Sequence, residues 1–168
     1  MIWATRGGVV IGLMILGHFL VSWYPGLPAL RKKPLKQLAP LGPFILGWAY
    51  GALGILTVMG FIGWVFDAAL WAANWLGDAA LVLGVGAKAG VSARGAYLPL
   101  TDDGSGLVLV LTAVVVALVK KGVVGSEVKR GVLCGCCLGT ASGVAGALAV
   151  PLAQAANTAG FYLFGWIG

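Results

Sequence analysis

The chain has 168 residues and a formal net charge of +6, with 60% hydrophobic and only 10% charged residues. Soluble domains of this size carry about 25% charged residues, so this composition cannot build a water-facing shell, and an ordinary soluble domain is excluded. A mean hydropathy of +1.00 excludes a disordered chain as well. The composition is that of an all-α, polytopic integral membrane protein, expected in a bacterial inner membrane or an organellar membrane. Its basic balance does not point to nucleic acid. The positive residues flank apolar spans, where they set topology and meet lipid headgroups.

From Gly7 to Leu30 the only Lys, Arg, His, Asp or Glu is His18, and Trp3 and Trp23 bracket the first part. Twenty helical residues cover about 30 Å, the thickness of the hydrocarbon core. A first span is therefore expected over 5–24, stopped by Pro25 and Pro28. No small-residue cleavage site precedes Trp23-Tyr24-Pro25, so this span is expected to be retained. Gln37 to Phe66 is again free of charge. Pro40 and Pro43 suit an entry turn and a first helical turn, and a second span is expected over 43–65.

Trp64, Asp67, Trp71, Trp75 and Asp78 follow at steps of three or four residues, which makes one helical stripe. Trp and Asp on one face suit a helix lying in the membrane interface or packed on a partner, so an interfacial helix is expected over 67–87. A third span is expected over 104–119, short but workable if Lys120 and Lys121 snorkel. Gly131 to Gly168 carries no charge. Pro151, Gln154 and Asn157 divide it into a fourth span over 131–150 and an apolar tail over 151–168.

Charge placement favours four spans. If 67–87 does not cross, Arg31, Lys32, Lys33 and Lys36 share a side with Lys120, Lys121, Lys129 and Arg130. Asp67, Asp78, Asp102 and Asp103 then lie opposite. By the positive-inside rule both termini are non-cytoplasmic, and residues 1–168 form a single membrane domain. The eight basic residues are the expected headgroup contacts, and bound phospholipid is expected.

The glycines carry the most information. Gly131, Gly135, Gly139 and Gly143 recur every fourth residue and form one ridge on a helix. A ridge without side chains lets a second helix backbone approach closely, which is how helices associate in lipid. Gly47 and Gly51 repeat the device more weakly. Whether the ridge packs within the chain or against another chain is open from the sequence.

Reactive constellations are few. Asp67 and Asp78 lie three turns apart, about 16 Å along a helix, too far for paired-carboxylate chemistry. Cys134, Cys136 and Cys137 point in different directions around a helix and lack metal-ligand spacing, so they read as small apolar filler. His18 reads as an interfacial or packing histidine. No catalytic residue, metal or other cofactor is expected, and no enzyme.

Residues 104–150 resemble the helical hairpin of conjugative pilins: two apolar helices, a short basic loop and a glycine-rich second helix. The two preceding spans depart from that pattern. The four-span layout with glycine ridges resembles the inner-membrane translocase family, whose Arg and Asp signature is missing here. Both resemblances imply subunits that pack with others. The expected function is a non-catalytic membrane subunit that packs within a larger complex through Gly131, Gly135, Gly139, Gly143, Gly47 and Gly51. Trp64, Asp67, Trp71, Trp75 and Asp78 are the expected partner contacts. The alternative is a homo-oligomeric pore of the holin-like or transfer type, lined by Thr140, Ser142, Gln154 and Asn157.

Overall fold

A computed structural model describes residues 4–24, 41–57, 60–91, 98–122, 125–141 and 147–165. They form six helices: α1 (Arg6–Trp23), α2 (Leu41–Leu56), α3 (Gly60–Val85), α4 (Asp102–Lys120), α5 (Ser126–Gly139) and α6 (Ala149–Phe164). Among the described residues the only extended pairing is an isolated bridge between Thr5 and Val91. Three helices, α1, α3 and α4, are long and apolar enough to cross a membrane.

Several boundaries differ from those expected from charge spacing. The uncharged stretch 43–65 is not one helix, because α2 stops at Leu56 and α3 starts at Gly60. Thr57 tightens the end, its amide donating to the Gly54 carbonyl at 3.2 Å and its hydroxyl to that of Leu53. Gly60 then takes φ +92°, a left-handed conformation that L side chains rarely adopt. The helix expected over 67–87 starts earlier, and α3 runs without interruption across 60–85. Its 26 residues rise about 39 Å. Likewise α5 ends at Gly139, so 131–150 is not one continuous helix. Residues 149–164 of the expected tail form α6, with Pro151 in its first turn, where a missing N–H costs nothing.

The core is built around α2 and α5, which run parallel. Phe44, Trp48 and Ala52 of α2 meet Gly131, Gly135 and Gly139 of α5 in that order. Helix α1 runs the other way beside them, with Gly12 on Cys137 and Leu138. The rings of Phe19 and Phe44 stack at 3.9 Å. The N-terminal end of α1 meets the C-terminal half of α3, where Gly7 lies on Gly77 and Asp78. The N-terminal end of α4 meets α6 in the same way, with Gly104 on Asn157 and Gly106 on Phe164.

These pairings repeat. Three of the four buried positions of α1, Gly8, Gly12 and Phe19, are matched at one constant spacing by Gly104, Val108 and Val115 of α4. Phe66, Leu70 and Gly77 of α3 are matched by Ala149, Ala153 and Gly160 of α6. The α2–α5 contacts are reciprocal. Gly47 faces the Val128 carbonyl as Gly131 faces that of Phe44, and Gly51 faces Val132 as Gly135 faces Trp48. The chain is thus two three-helix units, α1–α3 and α4–α6, related by a pseudo-two-fold axis along α2 and α5.

A methyl group at Gly135 would meet the backbone of Trp48 and Ala52, whereas one at Gly17 would meet nothing. Overpacking of this kind costs about 1–3 kcal/mol, while an unhindered helical Gly→Ala gains about 0.5–1 kcal/mol. Gly135→Ala is therefore expected to lower the thermal midpoint in detergent and Gly17→Ala to raise it slightly. Equal midpoints for the two variants would refute the close α2–α5 approach.

Candidate functional site

Of the glycines singled out by spacing, Gly131, Gly135 and Gly139 of α5 and Gly47 and Gly51 of α2 meet one another's helices inside the bundle. Gly143 lies outside the described residues. The closeness has a simple cause: with no Cβ on either helix, backbone carbonyls fill the space that side chains would occupy. The small residues of this ridge are therefore spent on contact between the two halves of the chain. Cys134, Cys136 and Cys137 are buried beside it. The Cys134 thiol donates to the Gly12 carbonyl and that of Cys136 to the Phe66 carbonyl, each at 3.5 Å. Among the described residues no cluster of His, Cys, Asp or Glu could hold a metal ion.

The stripe along α3 separates into two roles. Trp64, Trp71 and Trp75 point outward, 66%, 60% and 64% exposed. Asp67 and Asp78 lie on the flank, half-buried. The Asp78 carboxylate accepts from the Gly7 amide at 3.1 Å, and Asn74, one turn earlier, accepts from the Thr5 amide at 3.1 Å. Thr5 in turn caps α1 by accepting from the Gly8 amide. These are amides of the first turn of a helix, which have no partner within it. An acid at this positive helix end is also favourably placed. Asp78 thus serves the fold, and only the three tryptophans present a face outward.

The second unit builds the same device with Asn157. Its side-chain carbonyl accepts from the Thr101 amide at 2.9 Å and the Thr101 hydroxyl at 3.2 Å, and its amide donates to the Pro99 carbonyl. Thr101 caps α4 by accepting from the Gly104 amide. Sequence spacing did not single out Asn74, and it grouped Asn157 with possible pore-lining residues. The available signal was the shared pattern Asn-x-x-Gly at 74–77 and 157–160, each following a Thr-x-x-Gly cap. Tyr50 was missed too. Its hydroxyl donates to Thr112 at 2.9 Å, and Thr112 donates to the Val108 carbonyl at 2.7 Å.

The described basic residues expected at lipid headgroups gather at one end. Lys120 and Lys121 close α4, and Lys129 and Arg130 lie in the first turns of α5, all exposed. Arg130 pairs with Glu127 at 3.1 Å. Arg31, Lys32, Lys33 and Lys36 lie outside the described residues. Two grooves flank α1. One, of about 480 Å³, is lined by Leu13, Leu16, Phe44, Ile45, Trp48, Leu138 and Leu148. The other holds His18 and Arg130 beside Ile11, Met14 and Ile15.

The hydrogen bonds of Asn157 are exposed, and losing a typical hydrogen bond costs about 0.5–1.5 kcal/mol. Asn157→Ala is therefore expected to destabilise the protein by that amount and to speed hydrogen exchange at the Thr101 amide. Unchanged exchange there would show that Asn157 does not hold the cap. Against this geometry, the chain matches no protein-family model, no curated protein and no solved structure.

Proposed function

We propose that this chain is a non-catalytic integral membrane subunit that packs within a larger membrane assembly through the tryptophan face of α3. The observation that carries this reading is the placement of Trp64, Trp71 and Trp75. Lipid-facing tryptophans collect at the two membrane–water interfaces. Here they run in one row down the outer face of α3, rising about 16 Å from Trp64 to Trp75. Large aromatic side chains in such a row suit burial against another protein, where Trp is enriched among the residues that carry binding energy.

In this reading the chain passes the membrane four times. Helices α1 and α4 each make one pass, and the broken pairs α2–α3 and α5–α6 make the other two. The N-terminal ends of α1 and α4 then share a non-cytoplasmic side with the C-terminal ends of α3 and α6. The cytoplasmic side carries Lys120, Lys121, Lys129 and Arg130, with Arg31, Lys32, Lys33 and Lys36 in the segment joining α1 to α2, as the positive-inside rule favours. The homo-oligomeric pore draws less support. Thr140 is buried and Asn157 is engaged with Thr101, which leaves Gln154 exposed among the described members of the polar stripe.

Purification from the native membrane in mild detergent, followed by measurement of mass and subunit composition, tests the proposal. One copy of this chain among unlike subunits is expected. Trp71→Ala with Trp75→Ala is expected to weaken retention by about 2 kcal/mol or more without unfolding the chain. An assembly of many identical copies would overturn the subunit reading.

A further inference from the structure

The α1–α5 face and the positions that correspond to it on α4 and α2 differ in a telling way. In the first, a groove of about 390 Å³ is lined by Ile11, Met14, Ile15 and His18 of α1 with Arg130 of α5. The pseudo-two-fold carries these five positions to Leu107, Val110, Leu111 and Val114 of α4 and Leu46 of α2. Burial follows the same order, with 11 and 15 matching 107 and 111 as half-buried, and 14 and 18 matching 110 and 114 as exposed. Val114 and Leu46 are 46% and 39% exposed. At these positions the second half thus shows aliphatic side chains to its surroundings, while the first half shows an imidazole and a guanidinium.

Arg130 is exposed at the basic end of the bundle, where a cationic side chain can meet an anionic headgroup. Glu127 takes one guanidinium nitrogen of Arg130 at 3.1 Å. A guanidinium carries five N–H donors in a planar fork, so a phosphate can be held while that bond stays in place. Ile15, Met14 and Ile11 continue the groove away from the basic end. From position 18 to position 11 the helix rises about 10 Å, enough to seat the upper part of an acyl chain. We propose that the α1–α5 groove is a specific site for one anionic phospholipid. Arg130 and His18 hold its phosphate, and Ile15, Met14 and Ile11 hold one acyl chain. Lipid is favoured over a protein segment because charge and apolar wall follow each other along the groove, as headgroup and tail do. The site depends on the chain lying in a membrane and is independent of any partner subunit.

The test is native mass spectrometry of the whole chain released from nanodiscs of mixed phosphatidylglycerol and phosphatidylcholine. The wild type is expected to retain one phosphatidylglycerol in clear preference to phosphatidylcholine. His18→Val with Arg130→Leu, which gives these positions the character of their counterparts, is expected to lower that retention about tenfold. Arg6→Gln with Lys88→Gln, which removes charge at the opposite end of the bundle, is expected to leave it unchanged. Circular dichroism checks that both variants keep their helices, as the exposure of His18 and Arg130 implies. Equal retention of the two lipids by the wild type overturns the site, with or without a folded variant. So does undiminished phosphatidylglycerol on the His18/Arg130 variant.

Discussion

The contact on which the rest of the structure depends is the meeting of two helix backbones, α2 and α5, along facing rows of glycine. In water such a contact would be a minor part of a hydrophobic core. In lipid, apolar side chains gain little by leaving one hydrocarbon surface for another, and association rests on close packing. Gly47 and Gly51 on one helix and Gly131, Gly135 and Gly139 on the other allow dispersion and carbonyl–backbone contacts over more than two turns. Because α2 and α5 belong to different halves of the chain, this contact also holds the halves together. Helices α1 and α4 then pack on the flanks of that pair, and α3 and α6 close back onto them.

A second constraint shapes the end of the bundle where α1 and α4 begin. The first amides of a helix have no partner within it. Each half solves this with a side chain from its third helix, Asn74 in one and Asn157 in the other. Such bonds fix the tilt and register of helices that have little else polar between them. Gly77 and Gly160, one turn further on, let the backbones approach closely enough for the asparagines to reach. Polar residues in these helices therefore have an architectural use, which accounts for several that looked at first like candidates for chemistry or conduction.

Much of this could be read from residue order. The helical class and the ends of α1 and α4 follow from charge-free runs and their flanks, and the ridge over 131–139 from a spacing of four. The breaks could not be read in the same way. Residues 56–60 are apolar on both sides, and the left-handed conformation of Gly60 is a property of the folded backbone that its residue type only permits. The duplication was hidden because only small and polar positions are shared. Where Phe66 and Leu70 fill space in one half, Ala149 and Ala153 stand in the other, so a comparison weighted by large residues finds no likeness. The outward row of Trp64, Trp71 and Trp75 was legible as a stripe. Its separation from Asp78, which turns to serve α1, needed the three-dimensional neighbours.

The arrangement of the two halves has a consequence for biosynthesis. The partner of each glycine row is encoded in the other half, so α2 emerges from the ribosome well before α5 exists. At about 5–20 residues per second, the interval between synthesis of Gly51 and of Gly135 is on the order of ten seconds. During that time the bare backbone of α2 has no mate from its own chain. It must be sheltered by lipid, by the insertion machinery or by the same row on a second nascent chain. The last of these would give two first halves pairing with each other in place of their own second halves. The short link between α4 and α5, which brings the intended partner in promptly once α4 has turned, limits the time open to that error.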